Sequence, residues 1–346
     1  MERNFNKIME IIRPQKILLC IIKDIGDVLL TTPMAEVLHA NYPEAKIDLL
    51  ATSVCAPVAK NNPFINEIVI YDKNAPLKMI CEIRKRKYDW VLDFLSNPRS
   101  AILTFLSSAK LKAGNERGAH SFYAYNFKFK YPKEKLYNPD VKLNFIKQLG
   151  ITWTSENAPL AKYYFSEEYS NKAKELYKTI GLDCDKEFLF AFSPFATNPL
   201  RELPLDFYKG LALLIEKDYP KAKIITTSAP HQSGRLKEFL LMMPGNVIAA
   251  PKTETLEDLI TVFTKVQVQI GPCGGAKHMA LAGGARTVAF NNLTAGFAWT
   301  PNNPRHKYLQ APLKCSPCAS SCREMTCKKS ITPEMFFEAI KEVLKY

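Results

Sequence analysis

Two carboxylates, Asp24 and Asp27, flank Gly26 at the end of the run Lys16-Ile-Leu-Leu-Cys-Ile-Ile-Lys-Asp-Ile-Gly-Asp27. A carboxylate on such a turn can act as general base toward a substrate hydroxyl that comes within about 2.6–3.2 Å. The apolar residues before the turn read as a buried strand, and residues 28–41 read as a helix. A strand-turn-helix unit places its turn at the carboxyl edge of a parallel sheet, where open α/β folds bind ligands. The helix behind also points free N–H groups toward the turn. The competing reading is architectural: Asp27 would satisfy those N–H groups as a cap. Pro33 suits a first helical position, so the regular helix can start there and leave 24–31 as a longer loop.

A second constellation lies at Val266 to Gly283. Five of the 14 glycines fall between 271 and 284, in a chain poor in glycine, which marks backbone that turns sharply or approaches a ligand closely. Gly274 and Gly275 open a helix N-terminus to a phosphate, with Lys277 and His278 in the first turn. His278 is read as a binding residue, against a packing role. A third candidate is the loop Phe192 to Asp206, where Thr197 and Arg201 can hold phosphate oxygens, Arg201 as a forked donor. The alternative there is a surface loop before a capped helix. Finally, Cys315, Cys318, Cys322 and Cys327 are close enough to bind a structural zinc, although the spacing is tighter than the common paired arrangement.

The elements that position these residues alternate along the chain. After a helix over 3–12, strands are predicted at 16–23, 46–51, 66–71, 89–94 and 110–114, with helices at 28–41, 54–60, 76–87 and 99–107. A stretch at 120–137 interleaves aromatics with lysines, and another helix is expected over 139–149. Residues 150–165 read as a connector and 167–180 as a polar helix. A second series has strands at 187–193, 222–227, 246–249, 266–271 and 286–290, and helices at 205–218, 231–242, 255–264 and 276–283. The order is that of parallel sheets with helices on both faces. The length of 346 residues fits two domains.

Other classes are disfavoured. Neither a Gly-x-Gly-x-x-Gly fingerprint nor a Gly-Lys-Ser/Thr phosphate loop is present, which argues against hydride transfer and ordinary NTPase chemistry. No apolar run reaches the roughly 18–20 residues of a membrane span. Residues 1–7 lack the apolar run of a signal peptide, so a cytoplasmic location is expected, with nine cysteines mostly reduced. The net charge of +13 speaks of anionic partners. Arg99, Lys110, Lys112, Arg117 and the stretch 122–135 suit phosphates or acidic sugars at a membrane surface; the plainer reading is a solvated basic face over core aromatics. A nucleic-acid partner is not expected, since no recognised module accompanies the charge.

The ordered series of motifs resembles glycosyltransferase family nine, the lipopolysaccharide heptosyltransferases, over nearly the whole chain. The residues that carry the resemblance are Ile25-Gly-Asp-Val-Leu-Leu-Thr-Thr-Pro33, the run from Tyr42 to Leu50, Tyr88 to Ala101, Arg201-Glu-Leu-Pro204, Gly271 to His278, and Ala311 to Cys318. The resemblance implies a GT-B fold: two Rossmann-like, doubly wound parallel-sheet domains with the active site between them. It divides the chain into an acceptor domain at 1–165, a nucleotide-sugar donor domain at 166–332, and a C-terminal helix at 333–346 packing back toward the first domain. It further implies transfer of heptose from ADP-heptose to the lipopolysaccharide inner core, with inversion at the anomeric carbon.

Carried over by the same resemblance, Asp27 is the expected base. Thr197, Arg201, Gln232, Cys273, Gly274, Gly275 and His278 fall on the donor side. Asp24, Asn97, Arg99 and Arg117 are assigned to the acceptor, an anionic lipid-linked saccharide at the inner-leaflet surface. No Asp-x-Asp metal clamp stands at a strand end, since Asp183-Cys-Asp185 lies in a connector, and no obligatory metal or cofactor is expected. Two positions depart from the family. Cys273 stands where an Asp is usual, and Gln232 stands where several members carry Glu. The alternatives are therefore a catalytically weakened nucleotide-sugar-binding homologue and a family member using a different nucleotide sugar.

Overall fold

The computed structural model describes residues 13–165, 169, 171–317 and 325–346. The helix expected over 3–12 lies outside the described residues, as do Cys318 and Cys322. The chain forms two compact units that divide between Tyr164 and Phe165.

The first unit runs β1 (Lys16–Cys20), α1 (Ile25–Leu29), α2 (Pro33–Asn41), β2 (Lys46–Thr52), β3 (Glu67–Tyr71), α3 (Pro76–Arg86), β4 (Trp90–Asp93), α4 (Pro98–Leu106), β5 (Leu111–Asn115), α5 (Ser121–Ala124), β6 (Phe127–Phe129) and α6 (Asn138–Lys147). Its six strands are all parallel in the order β3-β2-β1-β4-β5-β6. Ile17, Leu19, Leu49, Leu50, Leu92 and Val91 are buried, as a sheet covered on both faces requires.

The second unit runs α7 (Lys172–Lys178), β7 (Leu189–Phe192), α8 (Leu205–Asp218), β8 (Lys223–Thr226), α9 (Ser233–Met242), β9 (Val247–Ala249), α10 (Leu256–Phe263), β10 (Val268–Pro272), α11 (Gly275–Ala282), β11 (Arg286–Asn291), α12 (Gly296–Trp299), β12 (His306–Gln310), α13 (Thr326–Lys329) and α14 (Pro333–Val343). Its sheet is again parallel, in the order β12-β11-β10-β7-β8-β9. Counted within each unit, both sheets have the doubly wound order 3-2-1-4-5-6. The strand order therefore reverses between β1 and β4 in the first unit, and between β7 and β10 in the second.

The stretch at 120–137 resolves into two kinds of aromatic. Tyr125 and Phe129 are core residues, and Phe129 stacks on Phe145 with centroids 4.9 Å apart. Phe122 and Tyr123 are exposed. The pairing of β6 with β5 was hidden because its alternation looked like a basic surface run.

Helix α14 carries Phe336, Phe337, Ile340 and Val343 on one face, and that face is buried in the core of the second unit with Phe207, Tyr208 and Val288. Phe336 meets Phe207 edge-on at 5.0 Å, and Phe337 meets Tyr219 at 6.4 Å. The apolar stripe of α14 thus packs on aromatics of α8 and the turn after it.

Candidate functional site

In the first unit Asp24 and Asp27 follow β1, and Asn97 and Arg99 follow β4, the two strands that flank the switch point, while Arg117 follows β5. Asp24 stands at the N-cap of α1 but its side chain makes no capping bond, and Asp27 lies in the first turn. Asp27 caps no N–H group among the described residues; its carboxylate pairs with Lys23 Nζ at 3.5 Å. The helix then stops and restarts. Thr31 Oγ1 donates to Asp27 O at 2.7 Å, Thr32 Oγ1 donates to Leu29 O at 2.8 Å, and Pro33 opens α2. So Pro33 does begin a new helix, but 25–29 is a short helix where a loop was expected.

Asp27 is more reluctant to ionise than an ordinary aspartate. Burial raises its pKa; Lys23 and Lys142 oppose the shift, and Asp24 adds to it. Lys142, on α6, is buried and donates through Nζ to Leu30 O at 3.2 Å. Burial pulls its pKa down to about 8, partly offset by Asp27. Cys55 also faces this pair: its thiol donates to Lys23 O at 3.1 Å, and burial pushes its pKa up.

Beside this turn, Asp93 ends β4 opposite Cys20 of β1 and is fully buried. Its Oδ1 accepts from the N–H groups of Leu95 and Ser96 at 3.1 and 2.8 Å, and its Oδ2 accepts from Tyr125 Oη at 2.8 Å. Ser96, at φ 47°, donates through Oγ to Asp93 O and accepts from Asn115 N. Burial raises the Asp93 pKa despite these donors. A Cβ on Gly114 would lie 2.3 Å from the Tyr125 ring, so only glycine leaves room for the phenol. The sequence reading missed this knot; its only local signal was an Asp ending a strand before Ser-Asn-Pro.

The knot fixes the loop that carries Asn97. Asn97 is itself the N-cap of α4: its Oδ1 accepts from Arg99 N and Ser100 N at 3.0 Å each, in a capping box. Arg99 is exposed, and Arg117, after β5, stacks its guanidinium 3.7 Å from the Tyr131 ring.

In the second unit the assigned residues follow the switch-point strands β7 and β10, except Gln232, which follows β8. After β7, Thr197 is exposed, Asn198 caps a short 3-10 turn, and Arg201 ends that turn. No hydrogen bond or ion pair engages the Arg201 guanidinium among the described residues. Its neighbour Glu202 is held by Arg235 through two bonds of 3.0 and 2.6 Å. Gln232, after β8, is buried and its Oε1 accepts from Ala229 N at 2.9 Å, closing its own turn.

After β10, a Cβ on Gly271 would lie 2.4 Å from Ser193 O, which explains one glycine by close strand approach. Gly284 is explained by its left-handed φ of 94°. Gly274 caps α11, and Gly275 is its first residue. Cys273 is buried with its sulfur 4.0 Å from His278 Nε2, and His278 meets Trp299 edge-on at 5.9 Å. Lys277 is fully buried, donating to Trp299 O and to Thr300 Oγ1 at 3.2 Å. Burial lowers its pKa to about 8. It therefore ties α12 to α11, a structural job that its first-turn position did not reveal. A cavity of about 540 Å³ opens beside the Phe195–Leu205 loop, lined by Glu202, Arg235 and Lys328 among others, and none of the assigned donor residues lines it.

No group of three or more His, Cys, Asp or Glu gathers for a metal ion among the described residues. Of the four clustered cysteines, Cys315 is exposed and Cys327 is packed in the second core.

Two doubly wound units, each with most of its candidate residues on the loops at its switch point, have the architecture of the GT-B glycosyltransferases. The chain belongs to glycosyltransferase family 9 (heptosyltransferase), whose family model matches residues 77–329. It is 24% identical over 311 residues to a putative glycosyltransferase of Haemophilus influenzae, covering 85% of this chain and 88% of that one. Its fold is similar to that of a family 9 glycosyl transferase from Veillonella parvula, with a TM-score of 0.81, 20% identity and coverage of 96% and 97%. It is also similar to the ADP-heptose lipopolysaccharide heptosyltransferase II of Escherichia coli, with a TM-score of 0.75, 17% identity and coverage of 95% and 98%. No helix among the described residues is long and apolar enough to cross a membrane.

Proposed function

We propose that this glycosyltransferase moves a heptose from ADP-heptose to a hydroxyl of the lipopolysaccharide inner core, with inversion. The observation that carries the reading is Asp27: a carboxylate at the carboxyl edge of β1, beside the switch point, whose only ion-pair partner among the described residues is Lys23. Its environment raises its proton affinity, which suits a general base toward a sugar hydroxyl.

In the proposed step the acceptor oxygen attacks the anomeric carbon as Asp27 takes its proton. The new C–O bond forms on one face while the bond to the diphosphate breaks on the other, and the electron pair leaves with ADP. The charge of the leaving diphosphate is met by the unengaged Arg201 guanidinium, by Thr197, and by the N–H groups of Gly274, Gly275 and Ala276 at the start of α11. Gln232, Cys273 and His278 complete the donor side. Asp24, Asn97, Arg99 and Arg117 face the acceptor. The scheme uses no metal ion.

One observation favours a second reading. Cys273 places a buried thiol 4.0 Å from His278 where the family usually has a carboxylate, so a different nucleotide sugar is the natural alternative donor. Incubating the protein with ADP-heptose and an inner-core acceptor, and following ADP release with mass spectrometry of the acceptor, tests both. The expected result is ADP release coupled to addition of one heptose, with the anomeric configuration inverted by NMR. Turnover with another nucleotide sugar but none with ADP-heptose would replace the donor.

A further inference from the structure

The outer face of α4 and the short helix α5 together expose an apolar cluster that the proposed chemistry does not use. Ile102 is 44% exposed, Phe105 45%, Phe122 85% and Tyr123 49%. Phe105 and Tyr123 meet edge-on at 5.7 Å, so the two helices present one surface. Lysines sit over these rings: Lys112 Nζ lies 5.5 Å from the Phe105 centroid and Lys128 Nζ 5.3 Å from that of Phe122. A solvent-exposed aromatic cluster of this kind marks an interaction surface.

We propose that this face docks on the surface of an anionic lipid bilayer. Aromatic and aliphatic side chains ringed by lysine ammoniums are the composition that enters the headgroup boundary of a membrane. Between residues 94 and 135 there are eight basic residues (Arg99, Lys110, Lys112, Arg117, Lys128, Lys130, Lys133 and Lys135) against two acidic ones (Glu116 and Glu134). That charge favours an anionic lipid surface. It opposes a second copy of the same chain, which would bring like charges together.

The surface is also continuous with a residue assigned to the acceptor. Arg99, Ile102 and Phe105 are spaced three apart along α4 and share one helix face. This part of the inference rests on the proposed function: the lipid end of the acceptor would stay in the bilayer while its sugar reaches Arg99.

The test uses the full chain in co-sedimentation with phosphatidylethanolamine–phosphatidylglycerol vesicles and with phosphatidylcholine vesicles, at low and high salt. The wild type is expected to bind the anionic vesicles, more weakly at high salt. A Phe105→Ser/Phe122→Ser variant is expected to lose about tenfold or more of that binding, and Lys112→Gln/Lys128→Gln to lose most of its salt dependence. An unchanged thermal midpoint shows that the variants fold, and Phe122→Trp should shift its emission to the blue on adding vesicles. Failure of the wild type to bind anionic vesicles at low salt overturns the proposal, as does equal binding by the Phe variant. A concentration-dependent dimer abolished by the Phe variant would also overturn it, assigning the face to self-association. Transfer to a saccharide acceptor without lipid chains separates the two claims: the Phe variant should keep it. A wild type that binds vesicles through these residues but transfers nothing would sink the proposed reaction and leave the surface standing.

Discussion

The phenol of Tyr125 donates to Asp93 Oδ2 at 2.8 Å, and the room it needs exists only because residue 114 is glycine. Asp93 in turn holds the Leu95 and Ser96 N–H groups of its own turn, so that turn and the Tyr125 segment meet on one buried carboxylate. Tyr125→Phe leaves that carboxylate with one donor fewer, and should cost about 1–3 kcal/mol in denaturant unfolding. Gly114→Ala should destabilise comparably by pushing the ring away. In a Tyr125→Ala background the cost of Gly114→Ala should largely vanish. Additive costs in that double-mutant cycle would show that the two residues act separately.

Asp27→Asn keeps the size and the loop but removes the proposed base. The expected loss in kcat is about 10²–10⁴-fold, with ADP-heptose binding retained in calorimetry. Near-wild-type turnover would take Asp27 out of the base role.

Lys142 is the second cation, after Lys23, that opposes the upward shift of the Asp27 pKa. Lys142→Met removes that charge, so the Asp27 pKa should rise further. A base must be unprotonated to work, so activity falls as pH drops through its pKa. The acid limb of the kcat/KM profile should therefore move to higher pH in the variant, with the rate at alkaline pH much less affected. A limb that stays in place, or moves to lower pH, would show that Lys142 does not act on the rate-controlling ionisation.

Cys273→Asp restores the carboxylate usual in the family beside His278. A hydrogen bond to a charged group is worth about 1.5–3 kcal/mol, so KM for ADP-heptose should fall roughly 10-fold or more if that sugar is the donor. Unchanged KM, measured by ADP release, would point to a donor that does not use this contact.

The sheets were legible because a covered parallel strand is a short apolar run, as at Ile17–Cys20 and Leu189–Phe192, and because turns with Gly or Pro punctuate them. The switch-point loops were legible for the same reason, and they carry Asp27, Arg201 and Gly274. What stayed hidden depends on contacts far apart in the chain. Lys142 reads as an ordinary helix lysine until Leu30 and Asp27 are placed beside it. Lys277 reads only as a first-turn residue beside the Gly274–Gly275 turn until Trp299 and Thr300 claim its ammonium. The strands at 127–129 and 306–310 are too short and too polar to stand out by pattern, and exist because a neighbouring strand pairs with them.

The burial of α14 in the second core has a consequence for the order in which the molecule is made. Phe336, Phe337, Ile340 and Val343 cover Phe207 and Tyr208, which are synthesised more than a hundred residues earlier. Domains fold as units during synthesis, from the N-terminus onward. All six strands of the first unit are complete by residue 129. The second unit instead holds an uncovered aromatic surface until residues 333–343 emerge, so its nascent form is the stage at which this chain depends most on protection from aggregation.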